Sequence, residues 1–79
     1  MTRDELPKGI RTELEQMERD PRVHEPIDIF AIGRHQHGIA FHTQLRGGHE
    51  DTEEVTDTGD TPERAWRNFS ATVADRLAG

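Results

Sequence analysis

The sequence predicts a small two-layer α+β domain of order α-β-β-β-α, with two helices on one face of a three-stranded antiparallel sheet. Three observations carry this. Apolar residues recur at helical spacing near both ends of the chain, β-rich or alternating residues fill the middle, and 79 residues leave no room for a second core. Residues 1–79 therefore form a single domain, and with 30% hydrophobic against 33% charged residues its core must be thin.

In the first helix, Leu6, Ile10, Leu14 and Met17 recur at four, four and three residues and define one stripe from about Pro7 to Arg19. Thr2 or Asp4 is placed to cap its start, Pro7 fits the first turn, where a missing N–H costs nothing, and Pro21 ends it. Asp20 to Pro26 contains two prolines and no period, which predicts a connector. Ile27 to Gly33 is β-rich, with Ile27, Ile29 and Ala31 on one face and Phe30 and Ile32 on the other. Apolar residues on both faces predict a central strand.

Gly38 to Leu45 alternates, placing Ile39, Phe41, Thr43 and Leu45 opposite Ala40, His42 and Gln44, the pattern of a half-buried strand. Arg34 to His37 is short enough for a hairpin connection. Gly47-Gly48 breaks the second strand. Asp51 to Thr58 has only Val55 to bury and predicts a weak third strand at a sheet edge. Thr61-Pro62 then reads as N-cap and first helical residue, with Glu63 favourable in the first turn. Trp66, Phe69, Val73 and Leu77 recur at three, four and four residues, predicting a second helix from Pro62 to about Ala78.

Charge is unevenly spread along this order. The net charge is −6, of which residues 47–79 contribute −5. Between Gly47 and Glu63 there is no Lys or Arg, while Glu50, Asp51, Glu53, Glu54, Asp57, Asp60 and Glu63 are all carboxylates. Direct binding of nucleic acid by that segment is disfavoured, because cations must displace the counterions of the phosphates. A basic partner surface suits it better. The alternative reading of the same carboxylates is a solvated surface and nothing more.

The order helix, three strands, helix resembles that of double-stranded-RNA-binding domains. That family holds phosphates with lysines at the start of its second helix, whereas Asp60-Thr61-Pro62-Glu63-Arg64 stands there, so RNA binding is not expected. Gly59-Asp60-Thr61, Glu63, Ala65 and Asn68 resemble the Gly-Asp-Thr-x-Glu-x-Ala-x-x-Asn stretch of HicB-type antitoxins, a likeness confined to about residues 59–73. It implies neutralisation of a small RNase toxin. The chain departs from that family in its leading helix at 7–19 and in lacking a Phe-Pro-Asp-Leu-Pro-Gly-like turn.

His35, His37 and His42 are the candidate metal ligands, with His24 and His49 further away. Imidazoles two apart on a strand share a face, but His35 and His37 fall at a turn, and no carboxylate joins them in a spacing such as His-Glu-x-x-His. No metal site and no cofactor are expected. There is no Cys, no Tyr, one Lys and no phosphate-cradling loop after a strand, and a ligand pocket of about 300 Å³ or more is hard to carve from so small a core. An enzyme is not expected.

No apolar run approaches the roughly 18 residues of a membrane span, and Met1 to Lys8 carries no signal-peptide stretch. The expected compartment is the cytoplasm, or the host cytoplasm for a phage-encoded chain. The functional expectation is a small regulator or inhibitor whose Glu50, Asp51, Glu53, Glu54, Asp57 and Asp60 dock on a basic, nucleic-acid-binding surface of a larger protein; a homodimer is compatible with this. Strand residues i and i+2 lie roughly 6.6 Å apart, about twice the ~3.4 Å axial step between phosphates. Asp51, Glu53 and Asp57 thus have a phosphate-like register. In size and charge the chain is similar to DNA-mimicking phage inhibitors, anti-CRISPR proteins among them. The alternatives are a HicB-like antitoxin and a histidine metal-binding module.

Overall fold

Two amphipathic stripes need a common surface to bury against, and an antiparallel sheet with one apolar face supplies it. The structure, a computed structural model, describes residues 2–32, 38–46 and 52–78. Its elements run α1 (Lys8–Glu18), β1 (Asp28–Ile32), β2 (Gly38–Arg46), β3 (Thr52–Gly59) and α2 (Pro62–Ala78), preceded by a 3-10 turn at Arg3–Glu5. The three strands form one antiparallel sheet in the order β1-β2-β3, a small α+β domain as expected.

The register sorts the side chains. Ile29 lies opposite Phe41 and Ala31 opposite Ile39, while Thr43 faces Val55 and Phe41 faces Asp57, so these residues share the helix-covered side. One cluster joins Leu6, Ile10 and Leu14 to Ile39, Phe41, Leu45 and Val55 and to Ala65, Trp66, Phe69 and Val73. At its centre Phe41 meets Trp66 edge-on at 5.2 Å and Phe69 at 5.8 Å. Met17 and Leu77 only pack against its margin.

Several expectations need correction. The strand expected to be central, β1, is an edge, and β2 is the central strand. Phe30 and Ile32 are not buried by a further layer; they lie on the open face beside Ala40 and Gly38, and Phe30 remains 43% exposed. Neither Thr2 nor Asp4 caps α1: Pro7 occupies the N-cap position, and its carbonyl accepts the Arg11 N–H at 3.0 Å. The connector also does more than connect. Val23 is buried and bridges Leu45, the His24 N–H donates to the Gln44 carbonyl, and the Arg46 N–H donates to the Arg22 carbonyl, each at 2.8 Å.

Two side-chain clusters tie the connector down. Glu18 accepts both Arg3 Nη atoms at 2.8 Å and the Ile27 N–H at 2.8 Å, joining the end of α1 to the chain start and to the residue before β1. Asp20 accepts the Arg22 backbone N–H at 2.9 Å and its guanidinium at 3.1 and 2.9 Å. The guanidinium foremost, then the backbone N–H, lowers the Asp20 carboxyl to about 2, and the Arg22 pKa is raised in return.

Candidate functional site

Strand alternation divides the acidic segment between two faces. Glu53 and Asp57 share the helix-covered side with Val55, while Glu54 lies on the open side across from Gln44, whose Nε2 donates to it at 3.4 Å. Glu50 and Asp51 fall outside the described residues. Asp60 lies beyond β3, at the turn into α2. The structure therefore brings Glu53, Glu54 and Asp57 to one edge of the sheet without aligning them on a single face.

Helix α2 answers two of them. Arg76 pairs with Glu53 at 3.2 Å, with both side chains about half exposed, and Arg64 pairs with Asp60 at 3.1 Å one helical turn away. The expectation that this segment lacks cations holds along the chain and fails in space. Exposed pairs of this kind contribute little to stability, and their effect here is to offset two of the four described candidate carboxylates, Glu53 and Asp60, leaving Glu54 and Asp57. Asp57 is half-buried, and its Oδ2 has no hydrogen-bond partner among the described residues.

The β3–α2 junction accounts for the residues of the Gly-Asp-Thr stretch. A Cβ on Gly59 would lie 2.8 Å from the Ala65 Cα and from the Arg64 carbonyl carbon, so this close approach requires glycine. The Thr61 hydroxyl accepts the Arg64 N–H at 3.2 Å, the cap expected from sequence. Ala65 is fully buried, and Asn68 Nδ2 donates to the Thr58 carbonyl at 3.0 Å. Arg64, one of two cations near this helix start, is held by Asp60 rather than free for phosphate.

Between β3 and α2 runs an open groove of about 360 Å³, lined by the consecutive residues 53–57 and by Thr72 and Arg76. Sequence reasoning missed it because Glu53 and Arg76 are far apart in the chain. The available signal was the spacing of Asn68, Thr72 and Arg76, one residue before each of Phe69, Val73 and Leu77 and hence on the flank of the buried stripe.

Of the histidines, His35, His37 and His49 lie outside the described residues. His42 stands on the open face with its Nδ1 2.7 Å from the Thr56 hydroxyl, and the His24 Nδ1 lies 3.3 Å from an Arg46 guanidinium nitrogen. His24, Asp28 and His42 line one shallow groove of about 220 Å³. Among the described residues no three His, Asp or Glu side chains are placed to hold a metal ion. No described helix is long and apolar enough to cross a membrane.

The fold and the site together define a class, a two-layer α+β domain with a carboxylate-lined sheet edge. No family model, curated protein or solved structure matches the chain.

Proposed function

We propose that the chain is a non-enzymatic, acidic protein-binding module that docks on a basic, nucleic-acid-binding surface of a larger partner. One observation carries this reading: β3 contains no Lys or Arg, lies at a sheet edge, and places Glu53, Glu54 and Asp57 around one groove. Such a field attracts a cationic surface and repels nucleic acid. The antitoxin alternative has less support, because Gly59, Thr61, Ala65 and Asn68 each have a local structural role at the strand-to-helix junction. A small RNase would nevertheless present the same kind of basic target.

The test is competition. Partner captured on the immobilised chain should be released by a DNA or RNA duplex and by raising salt from about 50 to about 200 mM. Glu54→Lys should weaken capture, since its side chain is exposed and lies across from the neutral Gln44. A partner that binds Glu54→Lys equally well and remains bound in excess duplex would refute the proposal.

A further inference from the structure

The hydrogen bonds of β2 determine which backbone groups of β3 are free. On the β1 side of β2, the Gln44 carbonyl and the Arg46 N–H are taken by His24 and Arg22. In an antiparallel ladder both backbone groups of a residue point to the same side and neighbouring residues alternate. Thr43 and Leu45 therefore bond toward β3, to their register partners Val55 and Glu53. It follows that Glu54, Thr56 and Thr58 direct their N–H and C=O groups away from β2. The Asn68 side chain meets the Thr58 carbonyl on that outer side, as this alternation requires.

No described strand pairs with that side of β3. The α2 row Asn68, Thr72, Arg76 runs along it: Asn68 closes one end at Thr58, Arg76 closes the other at Glu53, and the groove between them opens on Glu54 to Thr56. Five consecutive β3 residues line the groove, whereas a cleft on one face of the sheet would be lined by alternate residues.

We propose that this groove takes up an extended, basic segment of the partner as a fourth strand beside β3. The inference rests on the acidic-docking reading above and specifies its mode. An incoming strand meets two outward N–H and two outward C=O groups, at Glu54 and Thr56, so main-chain bonding supplies affinity. Charge selects the occupant: the groove holds Glu53, Glu54 and Asp57 against the single Arg76. Lys or Arg on the incoming strand meets these groups favourably. A second copy of the chain, pairing β3 with β3, would set like charges against one another.

The experiment uses a capped peptide of alternating Lys and Val, its Glu/Val counterpart, and the intact protein. Amide exchange is followed residue by residue. The Lys/Val peptide should slow exchange at Glu54 and Thr56 at least about tenfold, while Val55 and Asp57, already bonded to β2, change little. Thr56→Pro removes one outward N–H without touching the β2 ladder and should weaken the peptide at least about tenfold. Binding of the Lys/Val peptide with unchanged exchange at Glu54 and Thr56 overturns strand addition and leaves acidic docking standing. Equal protection by both peptides supports strand addition and overturns the acidic reading. Absence of binding, or protection that rises with protein concentration alone, overturns the proposed occupant.

Discussion

Removing the Glu18 carboxylate should cost the fold about 3 kcal/mol, a large share of the roughly 4–12 kcal/mol available to a domain of this size. The side chain is 9% exposed and accepts three hydrogen bonds, two from Arg3 and one from the Ile27 amide. In Glu18→Ala the Ile27 N–H, in a residue 3% exposed, loses its acceptor, at about 1–3 kcal/mol. Arg3 is 34% exposed and rehydrates, so its pairing contributes about 1 kcal/mol rather than the roughly 3–5 of a fully buried pair. At about 4–8 °C per kcal/mol, the melting temperature should fall by roughly 10–25 °C. Glu18→Gln retains one acceptor for the amide and should lose about half as much. Circular-dichroism melts of Arg3→Ala, Glu18→Ala and the double variant form a cycle whose coupling should be about 1 kcal/mol. A Glu18→Ala variant within about 0.5 kcal/mol of wild type, or additive single variants, would refute the reasoning.

Trp66→Ala should cost about 3–5 kcal/mol, because the ring packs against Phe41 and Phe69 and donates its Nε1–H to Glu13; a red-shifted native tryptophan emission would contradict that burial. Gly59→Ala should destabilise by about 1–3 kcal/mol, since its new Cβ meets the Arg64–Ala65 backbone rather than a flexible side chain, and an unchanged denaturation midpoint would show that α2 shifts freely. The Asp20 carboxyl should titrate by NMR near about 2, and a midpoint near 3.8 would remove the Arg22 clamp. Because its folded pKa is depressed, the stability it contributes is present above about pH 3.8 and is lost as pH falls through about 2. Asp20→Asn should flatten the acid dependence of melting over that window.

The helices were legible because each stripe is long and regular: the Trp66 to Leu77 period places α2 at Pro62–Ala78, and Thr61 caps it. The alternation of β2 likewise marks its buried face. The rank of β1 was not legible, since apolar residues on both faces of a strand read alike whether a second layer or open water covers them. Phe30 is the residue that misleads. Val23 was obscured by flanking prolines that carry no period, although its bridge to Leu45 extends the sheet. Of the candidate site, composition identifies the acidic strand, and register alone divides its carboxylates between faces. The Glu53–Arg76 and Arg3–Glu18 pairs join residues with no common local pattern, so only the folded chain brings them together.

The core draws on both ends of the described chain, with Leu6, Ile10 and Leu14 meeting Trp66, Phe69 and Val73. The Glu13–Trp66 contact spans 53 positions. A nascent chain carrying α1 and the first two strands has no lid for the Phe41 side of its sheet, and its first helix has little to pack on. Closure therefore waits until α2 has left the ribosome, and until then the apolar face of β2 is open to chaperones or to another nascent chain. A chain truncated before Pro62 should therefore bind a hydrophobic dye and aggregate, whereas the full chain should do neither.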